Sequence, residues 1–208
     1  MGTIHTQGGF AAARKLRADA VEIRVDALPR PPSSGEIARV ALPAILTVRR
    51  FDEGGALALD DAVREALYLE LLPAAAAVDL ELRSLRSLKR VAEAARAQRR
   101  LVVVSHHDFQ ATPTLARLRA IAARARGGGA DVVKIATRTE SAGDVARLLA
   151  LLDEADGPLA VMGMGPLGRA SRLVFAKAGS ALNYGWLDRP QVPGQWGAVE
   201  FGELLARA

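Results

Sequence analysis

Leu101-Val102-Val103-Val104-Ser105 and Val132-Val133-Lys134-Ile135-Ala136 flank a segment rich in alanine, leucine and arginine at about 113–126, closed by Gly127-Gly128-Gly129. Short β-branched runs bounded by turn residues predict buried strands, and the longer segment between them predicts a helix. Strands joined by a helical crossover run parallel in one sheet. The same alternation extends in both directions. Strands are expected at about 2–5, 20–26, 44–48, 76–80, 101–104, 131–135, 159–162 and 181–184. Helices are expected at about 8–17, 34–41, 59–71, 86–98, 113–126, 140–152, 168–177 and 198–207.

Eight β-α units in 208 residues favour an α/β fold of the (β/α)8 TIM-barrel type, in one domain over residues 1–208. The barrel is small beside the ~250 residues typical of the architecture. A doubly wound open sheet is the alternative, but no Gly-x-Gly-x-x-Gly follows the first strand.

Composition removes several kinds of function. The chain has no cysteine, which excludes disulfides, thiolate metal sites and thiol nucleophiles. Its three histidines, His5, His106 and His107, argue against a metal site built on several imidazoles. No apolar run reaches the ~18 residues of a membrane span. The first residues lack the basic and apolar regions of a signal peptide, so a cytoplasmic protein is expected. The formal charge of +5 raises the question of a polyanion, yet the arginines spread over helical segments and aromatics make up only 4% of residues. That suits solvated helix faces better than nucleic-acid binding.

In such a barrel chemistry collects at the C-terminal ends of the strands. In Val21-Glu22-Ile23-Arg24-Val25-Asp26, alternation puts Glu22, Arg24 and Asp26 on one face, turned inward. Buried charges need partners, so these form either a satisfied ion cluster or a polar binding floor. Arg49 and Arg50 end strand three, Asp79 and Glu81 alternate on strand four, and Ser105-His106-His107-Asp108 ends strand five. Lys134 lies within an apolar strand. Burial there favours the neutral amine of a Schiff-base nucleophile, and the alternative is a lysine paired with a neighbouring carboxylate. Beyond strand seven, the Gly-rich run 163–168 enters a helix bearing Arg172, an arrangement suited to an anion. The polar stretch from Asp188 to Gln195 is either a connecting loop or a lid.

These stretches, in this order, resemble the type I 3-dehydroquinate dehydratases: Glu22-Ile23-Arg24-Val25-Asp26, Thr47-Val48-Arg49 with Glu53-Gly54-Gly55, Asp79-Leu80-Glu81-Leu82, Ser105-His106-His107-Asp108-Phe109, Val133-Lys134-Ile135-Ala136, Met162-Gly163-Met164 through Ser171-Arg172, and Pro193-Gly194-Gln195. The resemblance implies a cytoplasmic lyase of the shikimate pathway, and so of aromatic amino acid biosynthesis. It would convert 3-dehydroquinate to 3-dehydroshikimate and water. It implies Lys134 as the Schiff-base lysine, His107 as general acid/base and Glu53 as the carboxylate orienting it. Arg172 would hold the substrate carboxylate, while Glu22, Arg24 and Arg49 would hold ring hydroxyls. Asp79 would support the site, with Met162, Gln191 and Gln195 completing the substrate-binding set. No metal, organic cofactor, nucleic acid or membrane is implied, and a homodimer is.

Two departures accompany the resemblance. The region before strand two is about twenty residues shorter than usual for the family, so a hairpin closing the barrel bottom is expected to be missing. The lid carries Gln191 where the family usually has a serine. Rival readings are another Schiff-base barrel, such as an aldolase, or a barrel that only binds a metabolite.

Overall fold

The computed structural model describes residues 1–191 and 194–207. Eight parallel strands curl into a barrel wrapped by helices: β1 Gly2–Ile4, β2 Val21–Arg24, β3 Ala44–Thr47, β4 Ala77–Glu81, β5 Leu101–Asp108, β6 Val132–Arg138, β7 Leu159–Met164 and β8 Gly185–Trp186. The covering helices are α1 Gln7–Ala13, α2 Ser34–Ala38, α3 Asp61–Leu71, α4 Lys89–Ala97, α5 Leu115–Gly127, α6 Ala142–Asp153, α7 Gly168–Lys177 and α8 Ala198–Arg207. Thr6, Ser33, Asp60, Thr114 and Ser141 cap α1, α2, α3, α5 and α6 by accepting a backbone N–H from the first turn. Among the described residues no helix is long and apolar enough to cross a membrane.

The hydrogen-bonded order is β7-β6-β5-β4-β3-β2-β1-β8, every pair parallel. The expected eighth strand at 181–184 is displaced: the ladder with β1 forms at Gly185–Trp186 instead. Side chains cause the shift. Ser180 Oγ accepts from Val161 N at 3.0 Å, and Asn183 Nδ2 donates to Ser180 O at 2.8 Å, bending the chain away from a regular ladder beside β7. Ala181 N still donates to Leu159 O at 2.9 Å. Gly185 presses against the backbone of Ala198, where a side chain would not fit. The last stave is therefore split between its two neighbours.

Strand alternation sorts the interior into layers. Outward residues such as Ile23, Leu46, Val78, Val104, Ile135 and Val161 form the main apolar core against the helices. Inward residues change character along the barrel axis. Ile45, Ala77 and Val103, packed by Met1, Val132 and Leu182, make an apolar floor. This fills the barrel bottom from within, at the place where a closing hairpin was expected to be missing. Two residues further along the same strands come Thr47, Asp79, Ser105 and Lys134, and then Arg49 and His107. The polar residues thus stand on an apolar base and face the C-terminal mouth.

Helix α3 adds a polar support outside the barrel. The β3–β4 register ends at Thr47 and Asp79. Beyond it Tyr68 Oη bridges the strands, accepting from Val48 N at 2.8 Å and donating to Asp79 O at 2.6 Å. Arg64, fully buried, donates to Val48 O at 2.9 Å, to Ser84 Oγ at 3.1 Å and to Glu81.

Candidate active site

The mouth opens into a cavity of about 480 Å³. Lys134, on β6, sits near its floor and is 4% exposed. Its Nζ donates to Asp79 Oδ2 at 2.8 Å and to Glu22 Oε1 at 3.2 Å, and it lies 4.2 Å from the centre of the Tyr184 ring. Pairing with neighbouring carboxylates, one of the two readings of the sequence, is therefore realised. It does not remove the amine from the cavity, whose wall includes Lys134.

Asp79 is not itself on the cavity wall but lies beneath it. Burial opposes its ionisation, but Arg49 and Lys134 hold the carboxyl well below the usual range. Arg49 donates to Asp79 Oδ2 at 2.9 Å, Glu81 Oε1 at 3.2 Å and Ser105 Oγ at 2.6 Å, and Ser105 Oγ donates to Asp79 Oδ1 at 2.6 Å. Strands β3, β4, β5 and β6 are thus locked together by one charged network. Glu22 also accepts from Thr47 Oγ1 at 3.0 Å.

The expected inward row on β2 stops at Arg24. Residues 25–27 turn into a short 3-10 helix, so Asp26 leaves the strand and serves the loop. It receives both Arg24 Nε at 3.1 Å and Nη2 at 2.8 Å, together with the backbone N–H groups of Arg49 and Ala56, each at 3.0 Å. Burial works against this carboxylate, but Arg24 and the two backbone donors lower its pKa. Arg24 is thereby fixed at the rim and also donates to Gly54 O at 2.9 Å.

His107 follows Ser105, the register partner of Lys134, by two residues, so both side chains point inward from adjacent strands. Its Nδ1 lies 3.1 Å from Glu53 Oε2, which also receives the His107 backbone N–H at 3.3 Å. That arrangement leaves Nε2 for the cavity. Burial, with Arg49 and Lys134 adding to it, pushes the imidazole well below its ordinary 6.5. Burial, reinforced by Glu81, pushes Glu53 up to about 7. A neutral imidazole is the form a general base needs.

The Glu53 shift gives a pH signature. Unfolded, the group titrates near 4.5; folded, near 7. The fold retains the proton between these values, so the cost of burying Glu53 is absent at acid pH and grows as pH rises through that window. Glu53→Gln should therefore gain stability over the parent between pH 5 and 8, by ~2 kcal/mol, while turnover falls. Thermal melts at several pH values check it, and a pH-independent difference refutes it.

Arg172, on α7, closes the far side. It is 6% exposed, and its bonds go to backbone oxygens: Nε to Gly163 O at 3.2 Å and Nη1 to Tyr184 O at 3.3 Å. Gly163 packs so tightly against Ser171 and Thr139 that a side chain there would collide with both hydroxyls. Among the described residues no carboxylate pairs with Arg172, and burial alone lowers its guanidinium to about 10. A buried cation lacking an anion is suited to receiving one.

Met162, Gln191 and Gln195 line the same cavity, and Gln195 Oε1 accepts from Gln191 N at 3.0 Å. Val192 and Pro193, between them in the expected lid, lie outside the described residues. The cavity also takes in Thr3, His5, Met164, Tyr184 and Arg189, which are not among the site residues expected from the sequence. Period-two spacing of Thr3 and His5 on β1 was the signal available for the first two.

Comparison with known proteins identifies the family. Residues 8–207 match the family model described as type I 3-dehydroquinase. The chain is 36% identical over 184 residues to a 3-dehydroquinate dehydratase of Methanocella arvoryzae, covering 86% of this chain and 83% of that protein. It is also 36% identical over 205 residues to a 3-dehydroquinate dehydratase of Latilactobacillus sakei, covering 92% and 84%. A crystal structure of the 3-dehydroquinate dehydratase from Aquifex aeolicus superposes with a TM-score of 0.87 at 29% identity, over 99% of this chain and 96% of that one. The chain belongs to the type I 3-dehydroquinase family.

Proposed function

We propose that this barrel, as one catalytic domain, dehydrates 3-dehydroquinate with Lys134 as covalent nucleophile and His107 as the proton carrier. As a member of its family the chain is a carbon–oxygen lyase, and the residue roles are inferred from the site. The supporting observation is one cavity that joins a lysine amine, a neutral imidazole on the next strand and a buried arginine without a carboxylate.

Arg172 takes the C1 carboxylate, and Glu22, Arg24 and Arg49 take ring hydroxyls, with Met162, Gln191 and Gln195 closing the pocket. Lys134 Nζ adds to the C3 carbonyl carbon, and loss of one water gives the iminium. His107 Nε2 removes a C2 proton, and the released electron pair moves into the iminium to give an enamine. The enamine returns the pair to form the C1–C2 double bond as the C1 hydroxyl leaves, taking the proton from His107. Hydrolysis then restores the amine and frees the conjugated enone, so the net loss is one water. Glu53 holds the imidazole through Nδ1, and Asp79 retains a negative charge beside the forming iminium. The iminium is the electron sink, so the chemistry calls for neither metal nor organic cofactor. A cytoplasmic homodimer in the shikimate pathway completes the reading.

His107→Ala tests the division of labour. The variant should still form the imine, trapped by borohydride as a mass increase on Lys134. Enone formation, read by ultraviolet absorbance, should slow by ~10²–10⁴-fold. Unchanged turnover would assign the base elsewhere.

A further inference from the structure

The assigned residues leave one wall of the cavity without a role. Strand β1 and the segment leading into β8 present Thr3, His5 and Tyr184 to the cavity. His5 is 6% exposed, and neither of its ring nitrogens has a hydrogen-bond partner among the described residues. The same holds for Thr3 Oγ1 and Tyr184 Oη. A buried polar atom left unpaired costs about 1–3 kcal/mol, so orphans gathered on one cavity wall mark a place where a ligand's polar groups belong.

His5 is the most informative of the three. It directly follows β1, whose last residue is Ile4, at the C-terminal mouth, the position from which barrel side chains reach substrate. The nearest carboxylate, Asp188, stands 3.9 Å from Nε2, beyond hydrogen-bond reach, and is engaged by Thr6 Oγ1 and by Arg189 N at 3.0 Å. Burial, with Arg189 and Arg24 adding to it, outweighs Asp188 and the Thr3 backbone and favours the uncharged imidazole, which offers one donor and one acceptor.

Barrel order places β1 four staves from β5 in either direction, so His5 stands across the cavity from His107. In the substrate ring the carbon across from C2 is C5, which bears a hydroxyl. We propose that His5 is a specificity-determining residue that hydrogen-bonds the C5 hydroxyl while His107 works at C2. The proposal rests on the reading that His107 removes the C2 proton. It adds a recognition contact on the wall opposite the chemistry, beside the Glu22–Arg24 side of the pocket.

The test compares kcat/KM of the parent, His5→Leu and His5→Gln on 3-dehydroquinate and on its 5-deoxy analogue. His5→Leu should lose about tenfold on the full substrate, mostly in KM, because the C5 hydroxyl loses its contact on this wall. On the 5-deoxy analogue it should match the parent within about twofold. His5→Gln, which keeps a donor and an acceptor, should recover most of the discrimination. An equal loss on both substrates, or none on either, overturns the proposal and leaves His5 a packing residue. Borohydride trapping at Lys134 is read separately. A chain that turns over without being trapped there overturns the Schiff-base assignment, while the two-substrate comparison still decides His5.

Discussion

Lys134→Ala should lower turnover of 3-dehydroquinate by at least ~10⁴-fold, because no other group in the cavity can carry the electrons released from C2. The barrel should survive the change. Asp79, one partner of the lost ammonium, keeps Arg49 at 2.9 Å and Ser105 at 2.6 Å. Glu22, the other partner, keeps Thr47 and lines the open cavity. The variant should bind the product's carboxylate through an intact Arg172 yet show no borohydride-dependent mass increase. Ultraviolet detection of the enone, with mass spectrometry on trapped samples, checks both halves. A rate within tenfold of the parent would remove the covalent mechanism from consideration.

The second large effect is on stability. Arg49 is 2% exposed and serves Asp79, Glu81 and Ser105 at once. Arg49→Met should destabilise the fold by about 3–5 kcal/mol, since it strands buried carboxylates rather than replacing a whole ion cluster. For a chain of this size that corresponds to a fall in Tm on the order of 10 °C. Arg49→Lys retains the charge but not the fork that reaches three partners, so it should lie between. Activity should fall with stability, because Asp79 Oδ2, which Arg49 and Lys134 share, would lose one of the two donors that fix its place beneath the amine. Calorimetry on the three proteins decides, and a Tm loss under about 3 °C for Arg49→Met would show that the network is not what ties these strands together.

Much of this architecture could be read from residue order. Uninterrupted apolar runs such as 101–104 and 159–162, bounded by turn residues, announce strands because burial on both faces leaves little ambiguity. Lys134 stood out because a lysine in such a run needs a reason. Short elements were harder. The eighth stave pairs with β1 over two residues only, and Ser180 and Asn183 divert the chain before it, effects no periodicity reveals. Asp26 follows the alternation of β2 in sequence, but a 3-10 turn carries it away. Arg64 and Tyr68 read as ordinary residues of an amphipathic helix. Their role arises only because β3 and β4 stop pairing at Thr47 and Asp79. Tyr184 and Thr3 carry no chemical signature by themselves; their meaning comes from being buried without partners.

The guanidinium of Arg172, which meets no carboxylate among the described residues, has a consequence for the proposed catalytic cycle as a whole. In the proposed reaction the group it holds is the C1 carboxylate, which passes through every step unchanged. Its attraction is therefore the same for substrate, for the transition states and for the dehydrated product. It sets how readily the site fills and does nothing to lower the barrier from the bound state. The product leaves against the same attraction that drew the substrate in. The faster the chemistry between Lys134 and His107 becomes, the more the departure of an anion from one buried arginine governs the pace.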